Sequence, residues 1–189
     1  MIVKYFELKK KIKDNKYFLL YGNNEGLIEE TIEKVLKPIL AKNIYNYEEA
    51  EIIKNIENFK ENLLNKSFFE NEKLIIIKRV SDKFSKIIEE IVSKNIDDLS
   101  IILVASSLDK RSKLRVFFEK EKNTTCVPFY EDNAQTLSFL AQKFMRDKDI
   151  NISQQLINII IERAKGDRIN LKNELQKIES FSKNKKNIS

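Results

Sequence analysis

The chain has 189 residues, of which 42% are hydrophobic and 34% are charged, and its formal net charge is +6. It contains no histidine and a single cysteine, Cys126, which excludes Ser-His and Cys-His nucleophile pairs, disulfides within the chain, and metal sites built on imidazole or several thiolates. No apolar run approaches the roughly 20 residues of a membrane span, so we expect a cytoplasmic protein without membrane contact.

The first predicted unit is a strand followed by a helix. The apolar run from Tyr17 to Tyr21 predicts the strand, which ends at Gly22. Apolar residues at helical spacing predict the helix that begins near Glu25, namely Leu27, Ile28, Ile32, Val35, Leu36 and Ile39. An opening helix is predicted before this unit from Val3, Phe6, Leu8 and Ile12, whose spacing fits a helix only loosely.

Two further strand and helix units follow. A weak strand around Ile44–Tyr47 leads into one helix that runs from Ile52 to about Leu64, and the strand Leu74–Ile77 leads into another helix. The run Leu99–Ala105 is apolar on both faces, as expected of a strand covered by helices on each side of a parallel sheet. With a last strand near Thr125–Phe129, the alternation predicts a parallel α/β sheet flanked by helices.

After Tyr130 the apolar spacing is helical throughout, with no strand between the periodic segments. The pattern predicts a small three-helix domain with apolar positions at Leu137, Leu140, Ala141, Phe144, Leu156, Ile159, Ile160, Ile169, Leu175, Ile178 and Phe181. We therefore expect an α/β domain over residues 1–132 and a helical lid domain over residues 133–189.

Two adjacent aromatics, Phe68 and Phe69, lie on the connection between a predicted helix and the strand that begins at Leu74. Either the pair folds back over the sheet as core, or at least one ring is exposed and ready to fill a pocket on a partner. Both rings cannot easily point inward from a short turn flanked by Glu70 and Asn71, and loops on a rigid scaffold are where binding residues concentrate.

A strand that ends in glycine and opens a helix is where a phosphate-binding loop would lie, and an α/β domain followed by a helical bundle is the layout of AAA+ ATPases. The loop requires G-x-x-x-x-G-K-[ST], but here Leu27, Ile28 and Glu29 stand in place of Gly, Lys and Ser/Thr. The acidic start of this helix, with Glu25 and Glu30, would repel a triphosphate.

The strand Leu74–Ile77 is followed by Lys78 and Arg79, where an AAA+ ATPase carries the acids that support Mg²⁺. Two independent elements of an ATP site are therefore missing, and we expect an AAA+-like scaffold without a cofactor that is not an enzyme by itself. Arg168 stands where lid domains carry a phosphate-sensing arginine, and without a phosphate we expect it to be a surface charge or a subunit contact.

Several motifs together resemble one family, the delta subunit of the bacterial DNA polymerase III clamp loader. They are, in chain order, YFLLYGNNEGLIEE, SFFENEKLIIIKRV, SLDKRSKLRVFFEKEK with the following CVPFYED, and GDRINLKNELQKIESF. The resemblance covers nearly the whole chain. It implies a nucleotide-free AAA+-like domain that works as part of the polymerase holoenzyme, to which the DNA polymerase activity belongs.

In that family an exposed hydrophobic pair inserts into a pocket on the sliding clamp, the beta subunit, and favours an opened ring. The matching pair is Phe68 and Phe69, where the family commonly has Leu-Phe, and Ser67, Glu70 and Asn71 would lie at the rim of the contact. The resemblance thus implies the clamp and the other loader subunits as partners, with DNA reached indirectly through the complex.

The family also carries a C-terminal collar domain, and this chain ends at Ser189, directly after the lid. We therefore expect the collar domain to be absent and assembly with other loader subunits to be weakened. The alternative reading is a nucleotide-independent DNA-binding or adaptor module on an AAA+-like scaffold. The net positive charge favours DNA binding, whereas the interleaving of basic residues with Glu and Asp argues against a strong basic patch.

Overall fold

A computed structural model describes residues 2–40, 43–64 and 72–182. Within these ranges a five-stranded sheet has the strand order β2-β3-β4-β1-β5, and every pairing is parallel. The strands are β1 Tyr17–Gly22, β2 Asn43–Glu48, β3 Lys73–Lys78, β4 Leu99–Ala105 and β5 Thr124–Phe129. None of the helices in the described ranges is long and apolar enough to span a membrane.

Helices follow each strand, as the alternating sequence pattern predicts. They are α1 Leu8–Lys11, α2 Glu25–Thr31, α3 Lys37–Leu40, α4 Glu49–Lys54, α5 Ile56–Leu64, α6 Ser85–Ser93, α7 Lys113–Lys120, α8 Ala134–Asp147, α9 Gln154–Ala164 and α10 Arg168–Ser182. Short 3₁₀ turns at Tyr5–Glu7 and Asp82–Phe84 precede α1 and α6, and a π-helical segment, Ile32–Leu36, joins α2 to α3. The chain divides into two units, Met1–Asn23 with Ile28–Phe129, and Asn24–Leu27 with Tyr130–Ser189.

The α/β unit is organised around β1 and β4, which pair with each other at its centre. Leu99, Ile101, Ile102 and Leu103 are all buried, so β4 has apolar side chains on both faces of the sheet. A strand covered by helices on both sides must be apolar at successive positions. The expectation of a parallel α/β sheet flanked by helices is therefore confirmed.

The sequence pattern was wrong about the continuity of one helix. The helix predicted between Ile52 and Leu64 is interrupted at Asn55, whose backbone angles of φ −146° and ψ 65° are not helical. The Asn55 side chain then accepts the Asn58 amide hydrogen bond at 3.4 Å, so it caps α5. Asparagine competes for backbone amides in this way and favours helix starts over helix interiors.

The opening segment also differs from the prediction. Its α-helix comprises only Leu8–Lys11, after a 3₁₀ turn, and Phe6 points to solvent with 62% of its surface exposed. The buried members of the predicted apolar face are Val3, Leu8 and Ile12. A segment this short cannot carry a full helical face, so the loose spacing of its apolar residues is explained.

After Tyr130, the described residues form three helices, α8, α9 and α10, as predicted. They pack around a buried core of Leu137, Ala141, Met145, Ile157, Ile160, Ala164, Leu171 and Leu175. Asn133 and Ser153 cap α8 and α9 by accepting the amides of Thr136 at 2.8 Å and Leu156 at 3.3 Å. Such caps fix where the helices begin, because the first amides of a helix have no partner within the helix.

Candidate functional site

The aromatic connection predicted to bind a partner runs between α5 and β3. Ser67, Phe68, Phe69, Glu70 and Asn71 all lie outside the described residues, so the exposure of the pair stays a prediction. The structure does describe the two elements that hold the ends of this connection.

The helix before the connection is fixed to the core of the α/β unit. Phe59 and Leu63 of α5 are buried, and the Phe59 ring contacts the Tyr47 ring edge to face at a centroid distance of 5.4 Å. Lys60 forms an ion pair with Glu90 of α6 at 2.7 Å. Both the apolar contacts and the ion pair hold α5 against the rest of the α/β unit, so the end of this helix has a defined position.

The strand after the connection is equally well held. The Lys73 amide donates to the Asp98 carbonyl at 2.8 Å, and the Asn43 amide donates to the Glu72 carbonyl at 3.3 Å. The Lys73 ammonium also donates to the Asn62 carbonyl at 3.4 Å, which links the end of α5 to the start of β3. The two elements that flank the connection are thereby joined, and a rigid base of this kind is the usual setting for binding residues.

The turn after β1, where a phosphate-binding loop would lie, begins at Gly22. Its φ of 137° is one that side chains rarely allow, and a Cβ built there would lie 2.0 Å from the Phe129 carbonyl oxygen. Glycine is therefore required for the close approach of the chain to the end of β5.

The next residues, Asn24–Leu27, belong to the helical unit. Asn24 is 5% exposed, and its Oδ1 accepts the Leu27 amide at 3.0 Å, which caps α2. Its Nδ2 donates to the Tyr130 carbonyl at 2.9 Å and to Asp132 Oδ2 at 3.0 Å. Asn24 therefore uses both ends of its amide to join the first turn of α2 to the start of the helical unit.

Arg168 completes this group, and the expectation that it is a surface charge is wrong. Its Nε donates to Asp132 Oδ2 at 2.7 Å and its Nη2 donates to Asp132 Oδ1 at 2.7 Å, a bidentate pair. Only 12% of the Arg168 side chain and 7% of the Asp132 side chain are exposed. The guanidinium thus binds a carboxylate of the same chain with the two donors that a phosphate would need.

The electrostatics of Asp132 agree with this pairing. Burial alone would raise the pKa of the carboxyl group, but hydrogen bonds from Arg168 and Asn24, together with the positive charge of Arg168, lower it below its ordinary value. A lowered pKa means that the folded protein stabilises the charged carboxylate. We call Asn24, Asp132 and Arg168 the buried cluster.

The acidic side chains near the carboxyl end of β3 also bind other groups of the protein. Arg79 is exposed and pairs with Glu48 at 3.0 Å, while the buried Glu49 accepts the Ser81 amide at 3.0 Å and the Ser81 hydroxyl at 2.9 Å. Asp82 is bound to the start of α7, as described below. No group of three or more acidic, cysteine or histidine residues that could hold a metal ion is found in residues 2–40, 43–64 and 72–182.

Sequence reasoning identified Arg168 by its position but missed its partners. Asn24 carries a local signal, because an asparagine just before an apolar helical pattern is a typical helix cap. Nothing local pairs it with Asp132, which is 108 residues away, or pairs Asp132 with Arg168 across 36 residues.

Comparison with known families gives one direct result. The family model described as DNA polymerase III, delta subunit, matches residues 18–129. This range includes all five strands, except for Tyr17 at the start of β1, and the whole connection between α5 and β3. No curated protein matches the chain.

Comparison with solved structures shows the fold. The chain is similar to the Bacillus subtilis DNA clamp loader delta protein (YqeN), with a TM-score of 0.60, 17% identity, and coverage of 97% of this chain and 59% of that one. It is also similar to the Thermotoga maritima RuvB Holliday junction branch migration motor, with a TM-score of 0.60, 15% identity, and coverage of 94% and 60%.

A third similar structure is domain III of the Thermotoga maritima replication initiation protein DnaA, with a TM-score of 0.55, 13% identity, and coverage of 98% of this chain and 84% of that one. Together these structures show an AAA+-like sheet followed by a helical lid. The chain spans about 59% of the Bacillus subtilis protein and 60% of RuvB.

Proposed function

The chain belongs to the family of the DNA polymerase III delta subunit, and from this membership we propose that it binds the DNA sliding clamp and favours an opened ring during replication. Phe68 and Phe69 fill a pocket on the clamp, and Ser67, Glu70 and Asn71 lie at the rim of the contact. The observation that carries the proposal is the family match, because it runs through the aromatic pair and both elements that flank it.

The geometry of the flanking elements supports this role. A loop that presents a hydrophobic anchor binds best when its base is already ordered, because less conformational entropy is lost on binding. Here α5 is fixed by Phe59, Leu63 and Lys60, and the start of β3 is tied to the end of α5 through Lys73 and Asn62. The elements at both ends of the connection are therefore held in place before the clamp binds.

The size of the effect follows from the two rings. Each phenylalanine transferred from water into an apolar pocket contributes roughly 1.5 to 3 kcal/mol. The pair together would then supply several kcal/mol, or roughly two to four decades in Kd. That share of the binding energy is typical of an interface hot spot.

The test is calorimetric titration of the full chain against the sliding clamp of the same organism. We expect wild type to bind and the Phe68→Ala, Phe69→Ala double variant to lose at least about a hundredfold in affinity, with an unchanged thermal melt. The matched control is the Phe6→Ala, Phe139→Ala double variant, which removes two rings that are 62% and 57% exposed. Equal affinity for all three proteins, or a collapsed melt of the Phe68, Phe69 variant, would contradict the proposal.

The proposed work is mechanical. Binding at the pocket favours an opened ring because the subunit binds the open clamp more tightly than the closed one, and only such a difference can shift the equilibrium. Fluorophores placed on either side of one clamp interface should separate when wild type is added. Binding without separation would leave a clamp-binding protein that does not open the ring.

We further propose that the subunit neither binds nor hydrolyses ATP by itself. Two features support this: Ile28 stands where a P-loop has its lysine, and a carboxylate of the same chain is already bound to Arg168. The other loader subunits would then supply ATP hydrolysis. They are the remaining proposed partners of this chain.

A further inference from the structure

Five basic residues lie on two neighbouring segments of the α/β unit, one after β3 and one after β4. Lys83 and Lys86 follow β3, in the 3₁₀ turn and in α6, whereas Lys110, Arg111 and Lys113 follow β4, in the loop and at the start of α7. All five are exposed. We call them the cation surface.

Asp82 joins the two loops and so brings the five cations together. Its Oδ1 accepts the Ser112 hydroxyl at 2.6 Å and the Leu114 amide at 3.1 Å. Lys83 follows Asp82 directly, and Lys113 lies between the two donors. The two lysines therefore flank the same pair of hydrogen bonds.

The remaining members lie close to this joint. Lys86 comes three residues after Lys83, a spacing that brings side chains to one side of a helical turn. Lys110 and Arg111 directly precede Ser112, which caps α7 by accepting the Arg115 amide at 3.2 Å. Asp82 and Ser112 are 30 residues apart in the sequence, and the hydrogen bond between them brings the two groups of basic residues close together in the fold.

The cation surface has few counter-charges. None of its five members forms an ion pair with any residue that the structure describes. The nearby acids in these two loops are Asp82 and Asp109, and Asp109 accepts the Arg111 amide. Glu49 of α4, which accepts from Ser81 directly before Asp82, is a third carboxylate at this surface. Five cations against three carboxylates leave an excess of two positive charges.

The start of α7 is not itself an anion site, because its free amides are already satisfied. Asp82 accepts the Leu114 amide. Burial raises the pKa of the Asp82 carboxyl group, but hydrogen bonds from Ser112, Leu114 and Lys113 and the positive charge of Lys113 together lower it below its ordinary value. Any anion must therefore be held by the side chains of the cation surface. Several long lysine and arginine side chains can each contact a different phosphate along a nucleic-acid backbone.

The segments that carry these cations have a polar surface. Among the residues that the structure describes between Lys78 and Lys120, no large hydrophobic side chain is exposed. Protein interfaces depend on buried apolar anchors, whereas protein–DNA interfaces are polar and strongly positive. The composition of the surface thus favours a nucleic-acid backbone over an acidic protein.

We propose that the cation surface binds the phosphodiester backbone of duplex DNA, so that the chain contacts DNA directly. This goes beyond the proposed function, in which DNA is reached through the complex. The contacts are to phosphates, so binding is independent of base sequence and falls steeply with salt.

The test uses the full chain and a short fluorescein-labelled duplex, without the clamp, in anisotropy titrations between about 50 and 200 mM salt. The variant replaces Lys83, Arg111 and Lys113 with alanine. The matched control replaces Lys9, Lys10 and Lys13, three exposed lysines of the opening segment, and so changes the net charge equally. Thermal melts verify that both proteins are folded.

Each lost phosphate contact removes about 0.9 from the slope of log affinity against log salt. We expect the variant to lose about 2 to 3 units of slope and at least about tenfold in affinity at the lowest salt, and the control to lose less than half as much. Equal losses in the two proteins would make the attraction a property of net charge alone and would overturn the proposal.

Two other outcomes would also overturn it. One is that wild type does not bind the duplex at the lowest salt. The other is that the Lys83, Arg111, Lys113 variant keeps its DNA affinity but binds the clamp more weakly, which would assign the surface to an acidic protein. Because DNA binding is measured without the clamp, a failure of clamp binding leaves this test intact.

Discussion

Arg168 and Arg111 show how differently the fold treats the same side chain. Arg168 is 12% exposed and gives two donors to a carboxylate of its own unit. Arg111 is exposed and forms no ion pair with any described residue. The buried cluster uses positive charge for structure, whereas the cation surface leaves positive charge for a partner.

This difference corrects a natural reading of the sequence. Position within an AAA+-like fold draws attention to Arg168 as a ligand-binding residue, but its donors are already used. The segments after β3 and β4 show no ligand-binding pattern in the sequence, yet Lys83, Arg111 and Lys113 form no ion pair with any described residue. Burial and pairing, which depend on distant residues, therefore distinguish a structural charge from a binding one.

The largest effect that tests this comparison is the loss of the buried pair. Asp132→Ala should lower the free energy of unfolding by about 3 kcal/mol or more, because removing one partner leaves a buried, uncompensated charge. The measurement is urea denaturation followed by circular dichroism. Lys177→Ala is the control, since it breaks an ion pair with Glu174 whose lysine is 70% exposed, and it should cost at most about 1 kcal/mol. Similar costs for both variants would remove the distinction between the two kinds of charge.

A smaller effect should appear as a pH dependence. Because the folded state lowers the pKa of Asp132 below its ordinary value of 3.8, its charged form stabilises the fold above that pH, and the stabilisation is lost as the pH falls further. The stability difference between wild type and Asp132→Asn should therefore be constant near neutral pH and shrink below about pH 4. A stability difference that stays constant well below about pH 4 would mean that the charge of Asp132 plays no part in its pairing with Arg168.

The smallest effect concerns the other region. Asp82→Asn removes one negative charge from the cation surface while keeping an oxygen that can accept from Ser112 or Leu114. Duplex DNA affinity at low salt should rise by about twofold, because one nearby, partly screened repulsion is removed. The anisotropy assay described above measures this change. A fall in affinity would mean that Asp82 matters more for positioning the loops than for their charge.

The fold was predictable where burial dictates composition. β4 was predicted at Leu99–Ala105 and is observed there, because a strand covered on both faces must be apolar at successive positions. The break at Asn55 was missed, since the helical spacing of apolar residues continues across it. One polar residue that caps a new helix leaves the surrounding periodicity intact.

The site was predictable only in part, because several of its contacts join residues that are far apart in the sequence. The missing P-loop lysine at Ile28 can be read from a local motif, and the aromatic pair can be found from its neighbours. The partners of Arg168 and the joint at Asp82 arise from contacts across 30 or more residues. A single sequence carries no local signal for such contacts. The role of Phe68 and Phe69 stays a prediction, because both lie outside the described residues.

The measurement that tests the proposed clamp contact most directly is photo-crosslinking at the aromatic pair. A photoreactive phenylalanine analogue would replace Phe68 or Phe69 in the full chain, with the exposed Phe139 of α8 as the matched control position. We expect irradiation with the clamp to yield a covalent complex from position 68 or 69 and none from position 139. Crosslinks confined to this chain at 68 and 69, from protein with an unchanged melt, would place the pair in the core and contradict the proposed function.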